Sequence, residues 1–109
     1  MKLADKSCSP VVDESPLTQH QADALLAELS QPWQVDDSHQ SMAFDFLFKN
    51  FYETMAFVNA LAWIAHQQDH HPDLEIGYKH VLVRYSTHSI GGLSDNDFIC
   101  AAKIEQLLS

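Results

Sequence analysis

Apolar residues recur along this chain with two different periods, and the changes of period mark its elements. Residues 1–16 mix Ser, Pro, Asp and Lys without periodicity and read as an irregular N-terminal tail. Beyond Leu17 the pattern becomes regular. Ala22, Leu25, Leu26 and Leu29 fall at helical intervals, and Thr18 with Gln21 has capping-box spacing. This predicts a helix over 19–29, stopped by Gln31-Pro32 because a residue before proline disfavours the helical region. In 41–48, Met42, Phe44, Phe46 and Phe48 share one face of a strand; paired with 33–38 around a polar turn at 37–40, it predicts a hairpin.

Asn50, with Glu53 at capping spacing, starts a longer helix of about nineteen residues. Phe51, Met55, Val58, Ala62 and Ala65 lie along one stripe with Leu61 beside it, and Pro72 forces an end near 69–71. Residues 74–78 and 81–87 read as two further strands. Lys79-His80 is a poor hairpin turn, since neither residue favours positive φ, so a continuous bent strand competes with it. Gly91 and Gly92 form a turn; Ser94 then caps a last helix with Phe98, Ala101, Ala102 and Leu108 inward. The order α-β-β-α-β-β-α predicts an α+β fold: a single antiparallel four-stranded sheet, three helices packed on one face, and one domain over 17–109.

Composition narrows the class. A net charge of -9 argues against a nucleic-acid partner and against an anionic membrane surface, both of which require a basic face. No apolar run has the length of a signal peptide or of a membrane span, which predicts a cytoplasmic protein. The two cysteines, Cys8 and Cys100, form no CxxC pair and read as free thiols of a reducing compartment.

Histidine is the residue type that stands out. The stretch HQQDHHPDLEIGY, residues 66–78, holds His66, His70 and His71, and His88 follows at a strand end. His66 and His70 are four apart and so share a helix face if the helix continues. That spacing suits a zinc pair, with His88 or Asp97 as a third ligand, but the glutamate of HExxH is missing and no cysteine is near. Proton transfer fits better. Imidazole gives and accepts protons near neutrality, and two or three histidines with a carboxylate suit an elimination of water without metal or organic cofactor. Each residue also has a plainer reading. His20 and His39 look like surface residues, and His66 and His80 are undecided. Asp97 stands three residues after Ser94 and has the spacing of a helix cap.

Taken together, His66-x-x-x-His70-His71-Pro72, Tyr78, Thr87-His88 and Gly92-Leu93-Ser94-x-x-Asp97 resemble the pterin-4a-carbinolamine dehydratase family, over about Leu17 to Leu108. The resemblance implies a lyase that removes water from 4a-hydroxytetrahydrobiopterin, giving quinonoid dihydropterin for tetrahydropterin recycling beside an aromatic amino acid hydroxylase. His70 and His88 match the family's proton-transferring histidines, His71 one that contacts the pterin, and Asp97 a supporting carboxylate. Pro72 and Thr87 match positions that shape the pocket, with His66 at its edge. Many relatives carry glutamate where this chain has His66, which alters how a neighbouring imidazolium is stabilised. The resemblance also implies a homo-dimer or homo-tetramer. Two other functions compete with the dehydratase: a pterin-binding module without turnover, for example in molybdopterin cofactor metabolism, and a metal-binding or purely structural protein.

Overall fold

The alternation in residues 42–48 becomes the centre of a sheet. In the computed structural model, which describes all 109 residues, four strands form: Gln34–Val35 (β1), Met42–Leu47 (β2), Asp73–Ile76 (β3) and His80–Tyr85 (β4). They pair antiparallel in the order β1-β2-β4-β3. The β2–β4 register sets Met42 opposite Tyr85, Phe44 opposite Val83 and Phe46 opposite Val81, while β3 adds Leu74 opposite Val83. Because side chains alternate across a strand, these residues share one face. Helices Gln19–Leu26 (α1), Phe51–Gln68 (α2) and Asp95–Glu105 (α3) cover that face. Ala22, Phe57, Leu61, Phe98, Ile99, Ala101 and Ile104 join it in one buried cluster. The fold is the expected α+β arrangement of one four-stranded antiparallel sheet with three helices on one face.

A run of aromatic rings ties sheet to helix. Trp33 meets Phe44 and Phe46 at 6.0 and 5.8 Å between ring centroids, and Phe46 and Phe48 meet Phe57 of α2 at 4.8 and 5.0 Å. These separations are those of attractive tilted and edge-on pairs. The Trp33 indole N–H also donates to Glu105 Oε2 at 2.9 Å.

The structure corrects four details of the sequence reading. First, α2 buries Thr54, Phe57, Leu61 and Ala65, whereas Phe51 and Ala62 are exposed. This helix is apolar on most sides, so periodicity does not select a face; the Thr54 hydroxyl does, reaching the carbonyls of Asn50 and Tyr78, both at 2.9 Å. Second, β3 and β4 form the two strands read from the sequence and not the bent strand that competed with them, but the corner falls at Tyr78-Lys79 instead of Lys79-His80. Gly77 N–H donates to His80 O at 2.9 Å, and Tyr78 and Lys79 make the corner without positive φ. Their carbonyls are held from outside the hairpin by the Thr54 hydroxyl and by Phe48 N–H at 2.7 Å, which supports a turn that its own residues favour little. Third, α1 ends at Leu26 rather than Leu29, and Leu29 still packs on the core from the following turn. Fourth, Leu108 lies half exposed in a 3₁₀ turn past the end of α3.

Residues 1–16 carry little regular structure, a 3₁₀ turn at Leu3–Asp5 apart, yet they are fastened along α3. Leu3 is buried in the core, and Lys103 Nζ donates to Ala4 O at 2.8 Å. No helix is long and apolar enough to cross a membrane.

Glu105 is the polar anchor of this arrangement. Its buried carboxylate accepts from Ser30 N–H, Gln31 N–H and Trp33 Nε1–H at 2.9, 2.7 and 2.9 Å, fastening the α1–β1 connection to the end of α3. Removing the acceptor strands three donors. Glu105→Ala is expected to cost about 2–4 kcal/mol, read as a lower urea midpoint at unchanged slope. A loss below about 0.5 kcal/mol would mean that water replaces the carboxylate at no penalty.

Candidate active site

The site begins with the way α2 ends. Asp69, its C-cap, takes left-handed backbone (φ 51, ψ 42), one of the few non-glycine residue types that tolerate it. His70 N–H still reaches Ala65 O at 3.1 Å, but the chain then leaves the helix axis. His66 and His70 therefore do not share a helix face, and the two-histidine metal spacing is not realised. The His70 ring lies flat on Tyr85 of β4, centroids 5.3 Å apart and planes 14° apart. Its backbone carbonyl accepts from the Tyr85 hydroxyl at 3.3 Å.

Three chain segments meet at one carboxylate. His70 Nε2 lies 2.6 Å from Asp97 Oδ1. Asp97 Oδ2 accepts from the Thr87 hydroxyl at 2.9 Å and from Ser94 N–H at 3.0 Å. The Thr87 and Ser94 hydroxyls are 2.7 Å apart. Asp97 is fully buried, so it has both roles the sequence left open: it caps α3 through Ser94 and it grips His70. A carboxylate only accepts, so Nε2 carries the hydrogen. Nδ1 makes no hydrogen bond within the chain and is the nitrogen left to meet a ligand.

Burial opposes charge on His70, but the hydrogen bond and negative charge of Asp97, helped by Cys8 and Asp69, outweigh it and raise the imidazole above its ordinary value. Burial is also the main cause that pushes the Tyr85 hydroxyl upward, which keeps the ring under His70 neutral.

His70 lines a cavity of about 390 Å³ with Thr87, Gln67, Gln68, Asp69, Asn96 and the segment Cys8–Val11. His66, His71 and Pro72 line a second, more apolar cavity of about 370 Å³ with Leu61, Ala65 and Leu74. His88 sits in a 3₁₀ turn past β4, exposed, in a third depression with Arg84, Asp36 and Asp73. The three depressions abut: Asp69 borders the first and second, and Thr87 the first and third. The structure thus joins His70, Thr87 and Asp97 by direct bonds and leaves His66, His71 and His88 on neighbouring rims. His80, undecided from sequence, is taken up on the open face of the sheet by Asp45 at 2.8 Å.

Sequence reasoning missed Tyr85, on which the His70 ring is stacked, and several residues that line the His70 cavity. Tyr85 stands two residues before Thr87 on the same strand face, a signal that was present. Gln67 and Gln68 lie next to the histidine run. Cys8 to Val11 carried no signal, because only the fold brings them 60 or more residues along the chain to Gln68 and Asn96.

Comparison with known proteins places the chain in a family. The model of the family described as pterin 4 alpha carbinolamine dehydratase matches residues 15–107. A protein of Nitrosomonas eutropha, provisionally named pterin-4-alpha-carbinolamine dehydratase, is 54% identical over 107 residues, covering 97% of this chain and 93% of its own. A Legionella pneumophila protein with the same provisional name is 53% identical, covering 84% and 81%. Among solved structures, a transcriptional coactivator/pterin dehydratase from Brucella melitensis superposes with a TM-score of 0.82 at 29% identity, over 87% of this chain and all of that one. A pterin dehydratase-like protein identified as a RuBisCO assembly factor of the alpha-carboxysome shares the fold, with a TM-score of 0.63 at 20% identity, over 72% of this chain and 90% of that one. The chain belongs to the pterin-4-alpha-carbinolamine dehydratase family.

The His70–Asp97 pair makes a signed prediction. Because His70 titrates above its unfolded value, the pair's stabilisation is full below about pH 6.5 and is lost as pH rises through the raised value. In Asp97→Asn the dominant charge is gone and burial wins, so His70 should titrate below about 6.5. An NMR titration of the His70 ring in both proteins checks this; an unmoved His70 would exclude Asp97 as the cause.

Proposed function

We propose that this protein dehydrates a 4a-hydroxytetrahydropterin to the quinonoid dihydropterin by histidine acid–base catalysis. The observation that carries the reading is the buried Asp97 carboxylate bonded to His70 Nε2 at 2.6 Å, which favours an imidazolium whose other nitrogen is unengaged. The reaction breaks the C4a–O bond and removes a proton from the adjacent ring nitrogen, so the hydroxyl departs as water only if it is protonated. His70, held charged by Asp97, is suited to be that acid through Nδ1. His88, on the rim beyond Thr87, is the matching base. His71 and Pro72 border the neighbouring depression and would contact the pterin ring from that side, with His66 at its edge.

The His70 cavity supports this use. About 390 Å³ lies in the range of small-molecule sites, and Gln67, Gln68, Asn96 and Asp69 offer donors and acceptors to a flat heterocycle edged with both. No step needs a metal or an organic cofactor. The reading also implies a homo-oligomer in the cytoplasm that works beside an aromatic amino acid hydroxylase.

A second reading keeps the pterin and drops the turnover. It is favoured by His66, where many relatives carry glutamate, and by the division of the histidines among three depressions. One assay separates the two. With 4a-hydroxytetrahydropterin generated in situ, the wild type should accelerate dehydration. His70→Ala should lose about 10²–10⁴ of that acceleration while circular dichroism stays unchanged. Activity should fall as pH rises through the His70 pKa, and Asp97→Asn should move that fall to lower pH. A wild type that binds pterin without acceleration would leave only the binding module.

A further inference from the structure

We infer that Cys8 and Cys100 form a reversible intramolecular disulfide, a redox-sensitive clasp fixing the N-terminal segment as one wall of the His70 cavity. The sulfurs are 92 positions apart in sequence and 3.5 Å apart in space, and both residues are free thiols here. Such proximity is not a product of chain adjacency. It is built by specific bonds on both sides of Cys8. Cys8 N–H donates to Gln68 Oε1 at 2.8 Å, and Ser9 exchanges two bonds with the Asn96 side chain at 3.2 and 2.7 Å.

The two thiols are placed differently. Cys8 lines the cavity and is half-buried, so a small molecule reaches it. Cys100 is fully buried behind it, its Sγ 3.8 Å from His70 O. The thiol of Cys100 donating to Cys8 is the main cause that lowers the Cys8 pKa; burial opposes this, and the positive charges of His70 and Lys103 add to it. An accessible thiol with a lowered pKa, 3.5 Å in front of a buried partner, is the arrangement of an attacking and a resolving sulfur.

With a small disulfide such as glutathione disulfide as oxidant, the step balances. The Cys8 thiolate attacks one sulfur, the oxidant's S–S bond breaks, and one glutathione leaves. Cys100 then attacks Cys8 Sγ, the mixed disulfide breaks, and a second glutathione departs with the Cys100 proton. Two protein thiols are oxidised and one small disulfide is reduced. A transient link of this kind is what a reducing compartment permits. Closing it removes the freedom of Cys8–Val11 to move aside, so ligand entry to the His70 cavity slows.

The link itself stands apart from the dehydratase reading; its effect on turnover rests on that reading. The test is intact mass and peptide mapping of the full chain after native treatment with glutathione disulfide. Wild type should lose two hydrogen masses, retain no glutathione, yield one peptide pair joining Cys8 to Cys100, and revert with dithiothreitol. Cys100→Ala should trap glutathione on Cys8, and Cys8→Ser should leave Cys100 unmodified. If Cys100→Ala misfolds, alkylation of the oxidised wild type after denaturation without reductant gives the same answer, since neither thiol should react and no glutathione mass should remain. A wild type that keeps glutathione on Cys8, links between chains or stays unmodified overturns the clasp and leaves the catalytic reading standing. Pterin turnover should fall on oxidation and recover on reduction; an internal link with unchanged turnover overturns the gating.

Discussion

A carboxylate with no solvent contact must be paired with donors on every side, and Asp97 sets that requirement for this fold. Charge taken out of water costs several kcal/mol unless hydrogen bonds replace its hydration. Here the replacements come from the end of α2 through His70, the end of β4 through Thr87 and the first turn of α3 through Ser94. Each segment is fixed where it must be to satisfy one ion. The contrast with His80 and Asp45 is instructive. That pair has similar atoms and a similar distance, 2.8 Å, but both side chains are more than two-fifths exposed, so it is worth at most about 1 kcal/mol.

The Asp97 requirement explains the local backbone. A helix that continued through His70 would carry its ring along α2 and away from α3. Asp69 in the left-handed region ends the helix one residue earlier and turns His70 onto the Tyr85 ring. That conformation costs something for a residue with a Cβ, and the bonds to Asp97 and Tyr85 offset it. The neighbouring Pro72 then excludes any return to helix, so the strand β3 follows immediately.

Much of the frame was legible in sequence because it depends on local signals. Thr18 with Gln21, Asn50 before Glu53, and the Met42–Phe48 alternation each act within a few residues, and each appears in the structure. The long-range choices were not legible. Which stripe of α2 is buried depends on Thr54 meeting Tyr78 O, twenty-four residues away, and an almost uniformly apolar helix carries no record of it. The seating of residues 1–16 depends on Asn96 and Gln68. For the candidate site, residue types and spacing named His70 and Asp97, the family resemblance added Thr87, and direct bonds join the three. What spacing could not reveal is that one residue of left-handed backbone separates His66 from His70 into different cavities.

The double role of Asp97 has a consequence for how the family fold relates to chemistry. The bonds to Ser94 and Thr87 are needed wherever α3 must start against the end of β4, whether or not any reaction occurs. Only the bond to His70 lets this structural acceptor favour the charged form of an imidazole. Fold and acid–base poise can therefore part company by changing the groups around His70 while the cap is kept. The solved structure of a RuBisCO assembly factor retains the fold at 20% identity, so the fold alone does not decide the activity. The decisive features of this chain are then the ring held on Tyr85, its Nε2 committed to a buried carboxylate, and its Nδ1 unengaged. On the proposed dehydratase reading, they amount to a proton donor fixed in direction and poise before any ligand arrives.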